Sequence, residues 1–438
     1  MFSKLRLSIR SINLRLYCAL MVLGFAPTVY NTLRVFFLGQ LPGEWAFSIA
    51  GQLSWVNLLY EILNEAILLP LFYFVGTVRS DRAEFSNRIR TGMLLTLGAY
   101  SLLSGVIICF AEELLMLMAA DPGIIAASAE YIRIESVANI FAILTQFALV
   151  ALVTVNKSRH LYALTGGRLV LCLLADTFLV SSLPFSAKLG VNGIGYSNLL
   201  VNALLLVLSI HLLAREGIRV FSGERLRFGW AKEFARVGGI SGLESLVRNV
   251  AYMVMIARMV NVVNEQGTYW VANNFIWGWL LLPVLQLGEL IKQEVAADRE
   301  NIPKNTPGYF AVTGIIAALW LLSVPLWKPF MGTVLGYADT EQLFGLVGLL
   351  MGFYVFYAFQ NVFDATFYGL GKTNYMLFES VVTNLVYYGG AFILYRTGLW
   401  VPTLTGIALL FGIGNAFDSI VSAVAYWFLL NREKIRIF

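Results

Sequence analysis

The sequence predicts an all-α polytopic membrane protein, with twelve transmembrane helices in two parallel six-helix lobes around a central cleft. Three observations lead to this fold class. Of the 438 residues, 58% are hydrophobic and only 13% are charged, whereas a soluble chain carries roughly 25% charge. Apolar runs of about 20 residues, the length that crosses a bilayer, recur along the chain. Short sequence matches also recur at a spacing of about half the chain.

The apolar runs define the expected spans, whose boundaries carry an error of about two to four residues. Pro27, Pro70 and Pro283 fall inside the first, second and eighth spans, where each weakens the helix. The spans are expected at residues 13–38, 45–76, 89–118, 127–155, 160–183, 193–214, two within 241–294, 309–327, 341–369, 375–396 and 402–430.

Lysine and arginine positions predict the orientation of the chain. These residues are concentrated in alternate loops, and the other set of loops holds little beyond Lys188, Lys328 and Arg396. Because basic loops stay on the cytoplasmic side, both termini are expected in the cytoplasm. The net charge of +5 is therefore a topological signal and does not indicate a nucleic-acid partner.

An internal repeat divides the chain into halves. Three pairs of segments match in the same order: 68–71 with 281–284, 156–159 with 371–374, and 212–219 with 429–436. Six spans per repeat return the chain to its starting side, so the two halves share one orientation. The predicted domains are an N-terminal lobe at 1–215, a cytoplasmic linker at 216–230 and a C-terminal lobe at 231–438.

Cysteines and histidines argue against a metal centre or a disulfide framework. Cys18, Cys109 and Cys172 lie in apolar segments without a spaced pattern, and no HExxH or CxxC occurs. No GxSxG and no phosphate-binding loop occurs either. We therefore expect no cofactor, and an enzyme ranks below a transporter.

Ionisable residues inside the apolar runs are the candidate functional groups, since charges at bilayer depth are costly and usually serve a function. In the stretch 241–294, Glu244 and Arg248 lie in one helix, and Glu289 and Lys292 in the next. Glu289 follows Pro283 and is the strongest candidate for a cation ligand. The alternative is that Glu289 pairs with Lys292 and Glu244 with Arg248, one turn apart.

Two further groups of acids complete the candidate set. Asp364 shares a helix face with Gln360 and Asn361, whose oxygens would complete a cation site. Glu61 and Glu65 lie one turn apart and are expected to repel each other, which suits proton coupling; a hydrated face at the cleft mouth is the alternative. Lower-ranked members of the same polar set are Asp176, Glu379 and Asp418.

Local motifs resemble those of one transporter family. The segments 191–198 (VNGIGYSN), 271–274 (VANN) and 368–374 (YGLGKTN) are similar to helix-start and corner motifs of multidrug and toxic compound extrusion (MATE) transporters. The resemblance covers the whole chain in helix order. It implies a polyspecific exporter that exchanges organic cations or other amphipathic compounds for Na⁺ or H⁺ by alternating access. We expect a monomer in a prokaryotic inner membrane.

The chain departs from the family at the cation ligands. Many prokaryotic members carry an aspartate in the first span, where this chain has Asn31. Another branch carries acids on the seventh and tenth spans, and Glu244 and Asp364 lie on those helices but are displaced by a turn or more. The resemblance thus implies a carboxylate site for Na⁺ or H⁺ in the second lobe, where the candidate ligands are Glu244, Glu289 and Asp364.

Substrate contacts are expected from amide and aromatic side chains, because aromatic faces attract organic cations. An interfacial belt is the alternative explanation of the aromatics. The candidate substrate-binding residues are Asn31, Asn273, Asn274, Trp277, Tyr357, Gln360, Asn361 and Tyr388.

A lipid-linked oligosaccharide flippase of a related fold is the alternative function. Such a protein would favour a basic cavity over an acidic one, and Arg34, Arg248 and Arg258 are the residues that would supply it.

Overall fold

The computed structural model describes residues 2–41, 45–78, 81–154, 158–218, 220 and 225–435. Nearly all of these residues are helical. The helices are α1 (Phe2–Ser11), α2 (Leu14–Gly39), α3 (Ala46–Gly76), α4 (Arg82–Cys109), α5 (Ala111–Leu117), α6 (Ile125–Thr154), α7 (Ser158–Leu179), α8 (Gly190–Arg215), α9 (Ala231–Tyr252), α10 (Arg258–Val262), α11 (Gln266–Phe275), α12 (Leu282–Ala297), α13 (Asn301–Thr333), α14 (Thr340–Gly369), α15 (Thr373–Val382), α16 (Gly389–Arg396) and α17 (Leu404–Arg432).

Most of the predicted spans are present among the described residues. Ten described helices, some of them runs of joined helices, are long and apolar enough to cross a bilayer, and a pair bent by 52°, Gln266–Leu280 and Leu282–Ala297, would be an eleventh. Helix α3, with 31 residues, is also long enough to span, and the count of twelve stays a prediction. The all-α polytopic membrane fold is therefore confirmed.

Three spans contain a widened helical turn of the π type, at Met253–Ala257, Ile276–Leu280 and Thr383–Tyr388. Such turns are rare and occur frequently at functional sites. The second of them lies just before Pro283, which occupies the first turn of α12. The bend expected from Pro283 is thus present, because proline removes a helix hydrogen bond and its ring clashes with the preceding turn.

The chain forms two compact units. We call Phe37–Gly267 the middle unit, and Met1–Phe36 together with Thr268–Phe438 the flanking unit. The division of the chain into sequence halves at 215–231 stays a prediction. The N-terminal helix α1, which hydropathy alone does not indicate, belongs to the flanking unit, where the Ser8 side chain donates to the Lys304 carbonyl oxygen at 2.7 Å.

Close helix packing in the middle unit depends on small residues. A Cβ atom placed on Gly238 of α9 would overlap the carbonyl oxygen of Ala66 on α3, and one placed on Gly242 would lie 2.8 Å from the Ala66 Cβ. Small residues permit this approach of two backbones in a membrane interior. Any side chain larger than that of glycine at position 238 would therefore force α3 and α9 apart.

In the flanking unit, α14 and α17 run parallel and in register. Gln360 contacts Asp418 and Asp364 contacts Ser422, both at a separation of 58 residues. The Phe367 and Tyr426 rings meet further along, with centroids 6.1 Å apart. This register places the polar residues of both helices at the same depth.

Candidate functional site

The flanking unit brings three carboxylates together at one depth, Asp364 on α14, Glu379 on α15 and Asp418 on α17. We call these three residues the carboxylate cluster. Each has a polar neighbour one helical turn away on its own helix: Gln360 before Asp364, Thr383 after Glu379 and Ser422 after Asp418. Residues four apart share a helix face, so each helix presents a pair of polar groups to the others.

Asp418 is held by two donors. The Gln360 amide donates to its Oδ2 at 2.6 Å, and the Thr383 hydroxyl donates to its Oδ1 at 2.6 Å. Ser419 in turn donates to the Gln360 carbonyl oxygen at 2.8 Å, which fixes the orientation of the amide. Both oxygens of Asp418 thus accept hydrogen bonds from side chains of two neighbouring spans.

Asp364 and Glu379 form the other part of the cluster. The Ser422 hydroxyl donates to Asp364 Oδ1 at 2.8 Å, and the Glu379 carboxyl lies within hydrogen-bonding reach of Asp364 and Ser422. Glu379 is only 4% exposed, and its Oε1 has no hydrogen-bond partner among the described residues. A buried oxygen without a partner is costly unless a proton or cation satisfies it.

The π-type turn at Thr383–Tyr388 begins at the residue that donates to Asp418. A π turn inserts one residue beyond the regular helical repeat. It therefore rotates the residues that follow it relative to Glu379 and Thr383, which lie before it and at its first position. Glu379 and Asp418 rank low as candidates from sequence because they are 39 residues apart and no local pattern indicates that they meet.

The aromatic candidates assemble beside the same unit's α14. Trp277 stands edge-on to Tyr357 at 5.6 Å between centroids and to Tyr354 at 6.2 Å. Trp277 is 39% exposed, whereas Tyr354 is fully buried. The three rings form a partly open aromatic surface, of the kind on which organic cations bind.

The amide candidates have differing surroundings. Asn361 donates to the Val284 carbonyl oxygen at 2.8 Å, and Asn274 donates back to the Trp270 carbonyl oxygen at 2.9 Å. Asn31 is exposed on α2, and Asn273 is half-buried on α11. Their role in substrate binding stays a prediction.

Tyr388 is buried and stands edge-on to Tyr387, with centroids 5.1 Å apart. A Cβ atom placed on Gly414 would meet the Tyr388 hydroxyl. Tyr388 is thus packed closely against α17, and a role in substrate binding stays a prediction for it as well.

Glu289 pairs with Lys292, which is the alternative expected from the sequence. Its Oε1 accepts from the Lys292 ammonium at 2.7 Å, and its side chain is 49% exposed. The Lys292 ammonium also lies 4.8 Å from the centre of the Tyr368 ring. A cation-binding role for Glu289 stays a prediction.

Glu61 and Glu65 lie in the middle unit, where Arg248 of α9 joins them. The Arg248 guanidinium contacts Glu65 at 2.7 Å and Glu61 at 3.2 Å. The expected repulsion between the two carboxylates is thus offset by a cation between them. Glu244, one turn before Arg248, belongs to the same unit and is half-buried.

Solved structures of transporters share this fold. One is an inward-facing conformation of a multidrug resistance MATE family transporter of the MOP superfamily, with a TM-score of 0.75 and 19% identity over 93% of this chain and 95% of that one. An outward-facing conformation of such a transporter has a TM-score of 0.65 and 19% identity, over 98% and 96% of the two chains.

A third similar structure is a MOP superfamily transporter from Pyrococcus furiosus Vc1, for which the reverse polarity of the binding pocket suggests a different function. Its TM-score is 0.64 and its identity 19%, over 98% of this chain and 97% of that one. The sequence matches no protein-family model and no curated protein. Across nearly its whole length, the chain has the fold of the MATE family transporters.

Proposed function

We propose that this protein is a cation-coupled antiporter of the MATE type, which exports cationic or amphipathic small molecules by alternating access. One observation carries the proposal: the carboxylate cluster of Asp364, Glu379 and Asp418 within the flanking unit. Buried acids inside a membrane protein commonly mark ion pathways and proton relays. The fold is one in which such exchange occurs.

The coupling ion that this geometry favours is the proton. Two carboxyls within hydrogen-bonding reach are stable when they share one proton, because two adjacent negative charges in a low-dielectric site repel strongly. Asp418 accepts hydrogen bonds from two neutral donors, Gln360 and Thr383, and is not part of this pair. Asp364 and Glu379 then form a pair that gains and loses a proton as a unit.

Coupling follows if the proton is bound with different affinity in the two conformations. A ligand shifts a conformational equilibrium only by its differential affinity for the two states. The link to packing is direct, because Asp364 and Asp418 contact the opposite helix of the α14–α17 pair. Protonation of the pair therefore alters the hydrogen bonds that hold α14, α15 and α17 together.

Substrate contact is assigned to the aromatic surface of Trp277, Tyr354 and Tyr357. Tyr354 and Tyr357 lie on α14, the helix of Asp364, about three and two turns before that residue, and Trp277 packs against both rings from the widened turn at Ile276–Leu280. Aromatic faces contribute roughly 0.5–2 kcal/mol to the binding of a cation. The protein is expected in a prokaryotic plasma membrane, as a monomer, with both termini in the cytoplasm.

A lipid-linked oligosaccharide flippase of a related fold is the alternative function. The surroundings of Arg248 and Arg258 favour the antiporter over it. Arg248 is engaged by Glu61 and Glu65, and Arg258 donates to the Leu117 carbonyl oxygen at 3.0 Å. These two side chains are held by neighbours in the middle unit, whereas a flippase would need them to bind phosphate.

Flux measurements in liposomes test this proposal. The purified protein would be reconstituted, and efflux of a fluorescent organic cation measured under an imposed pH gradient or an imposed Na⁺ gradient. The pH gradient should drive efflux in the wild type, and Glu379→Gln should abolish it. Efflux that responds to neither gradient would refute antiport, and efflux driven by Na⁺ alone would refute proton coupling.

A further inference from the structure

An apolar groove lies between α14 and α17, and its wall includes Gln360 and Ser419 but not Asp418. Its volume is about 770 Å³, within the range of roughly 300–1,000 Å³ of small-molecule sites. Five of its eleven wall residues are phenylalanine or tryptophan, and Gln360 and Ser419 are its polar members. Ala423, at the middle of the α17 side, leaves the space open.

The groove opens on an exposed apolar surface. Its wall residues Phe356, Trp427 and Phe428 are each more than half exposed. Both helices span the bilayer by length and hydropathy, so exposed apolar groups at this depth meet hydrocarbon and not water. An acyl chain is the apolar ligand that is always present at such a surface.

An exposed arginine lies one turn beyond the end of this groove. Arg432 is the last residue of α17 and is exposed. It lies four residues after Phe428, and therefore on the same helix face one turn beyond the groove. Helix ends with exposed arginine lie at the headgroup level, where the guanidinium binds lipid phosphate.

We infer that the α14–α17 groove binds one phospholipid, with an acyl chain along the aromatic wall and its phosphate at Arg432. This site goes beyond the proposed function and does not depend on it. The groove also borders the carboxylate cluster, because Gln360 and Ser419 line it and Gln360 donates to Asp418. The lipid therefore packs directly behind the amide that holds Asp418.

The chain offers matched controls for this site. A second apolar groove, of about 510 Å³, lies between α7 and α8 and is lined in part by Ala175. Arg215 ends α8 as Arg432 ends α17, but the nearest wall residue of that groove, Leu204, lies about three turns before it. Arg215 thus serves as a control for an arginine at a helix end that is far from its groove. Arg168, three residues before the wall residue Leu171 on α7, is kept in both control variants.

Retained lipid, measured by native mass spectrometry, tests the inference. Wild-type protein would be extracted in mild detergent, stripped with excess detergent and titrated with phosphatidylglycerol, and the lipid-bound fraction recorded. Ala423→Trp should abolish the tightest binding step, and Arg432→Gln should weaken it by about fivefold. Ala175→Trp and Arg215→Gln should leave that step unchanged.

Three outcomes would overturn the inference. Equal lipid retention by Ala423→Trp and wild type would show that the acyl chain does not occupy the groove. Unchanged lipid affinity in Arg432→Gln would show that Arg432 does not bind the phosphate. An equal loss of lipid affinity in Arg215→Gln would show that the binding is not specific to the α14–α17 groove. Arg432→Gln changes an exposed residue and is expected to fold normally, which an unchanged elution volume would verify. Failure of this test leaves gradient-driven efflux intact, so it is distinguishable from failure of the proposed antiport.

Discussion

Arg82 donates a hydrogen bond to the carbonyl oxygen of Glu216 at 3.1 Å, and Arg299 donates one to the carbonyl oxygen of Glu433 at 3.0 Å. Each pair is separated by 134 residues. Arg82 lies in the middle unit and Arg299 in the flanking unit. Each arginine binds the residue that follows the last span of a sequence repeat, Glu216 after α8 and Glu433 after α17. The two contacts are the structural counterpart of the sequence repeat that matches 212–219 with 429–436.

The flanking-unit contact is reinforced and should depend on pH. Arg299 also contacts the Glu433 carboxylate, as does Lys372 at 3.6 Å. Desolvation raises the pKa of Glu433, but the two cations more than offset it, so its pKa is below its ordinary value. A carboxyl whose pKa is lower when folded stabilises the protein above its unfolded pKa, and this contribution is lost as pH falls through the folded pKa.

Arg299→Gln should therefore lower the thermal unfolding temperature at pH 7 more than Arg82→Gln does, since Glu433 then loses its strongest partner. The difference between the two variants should vanish as Glu433 becomes protonated in acid. Unfolding followed by circular dichroism in detergent measures it. A difference that persists below the folded pKa of Glu433 would contradict the ion-pair explanation.

Removal of Arg248 should destabilise the middle unit. Arg248→Gln leaves Glu61 and Glu65 adjacent without a cation, and we expect a loss of about 1–3 kcal/mol, less than for a fully buried pair because the side chains are partly exposed. Arg133→Gln, which removes an exposed ion pair with Glu112, should cost about 0–1 kcal/mol. Adding Glu65→Gln to Arg248→Gln should restore stability, and a double variant no more stable than the single one would count against this reading.

The α3–α9 contact predicts different stability effects for alanine at the neighbouring positions Gly238 and Gly239. Gly238→Ala should cost about 1–3 kcal/mol, because the new methyl group overlaps the Ala66 carbonyl oxygen. Gly239→Ala places its methyl group in open space and should be neutral or stabilising by up to about 1 kcal/mol, as alanine favours the helix. Thermal unfolding of both variants measures this, and equal effects would refute the close approach.

The aromatic surface predicts a charge preference in transport. Trp277→Ala should raise the KM for an organic cation by about 2- to 30-fold and leave that for a neutral analogue of the same shape little changed. Trp400→Ala removes a tryptophan outside this surface, beside Tyr395, and should alter neither. Equal increases for the cation and the neutral analogue would mean that the ring acts by packing alone.

Much of the fold follows from the sequence, because span length and charge placement are local properties. Helix α14 begins and ends within one residue of its expected bounds, 341–369. The acids were harder to rank from sequence alone. Glu289 has a lysine three residues later, a local pairing signal that the structure shows to be used. Asp418 has none, since its donors Gln360 and Thr383 are 58 and 35 residues away.

A local signal for the cluster does exist in the sequence. Three apolar runs each contain a pair of polar residues four positions apart: Gln360 with Asp364, Glu379 with Thr383, and Asp418 with Ser422. Such pairs place two polar groups on one helix face, and three of them in neighbouring spans indicate a shared polar site. Which faces meet depends on the register of α14 and α17, which no local pattern contains.

Proton release on substrate binding tests the coupling site most directly. Substrate would be added to purified protein in weakly buffered detergent solution containing a pH indicator. Wild-type protein should release about one proton per chain, since reciprocal coupling requires that a ligand displaced by the proton also displaces it. Glu379→Gln should release none, and Glu289→Gln should release as much as wild type. Undiminished release from Glu379→Gln, with loss in Glu289→Gln, would contradict the assignment of the proton to the carboxylate cluster.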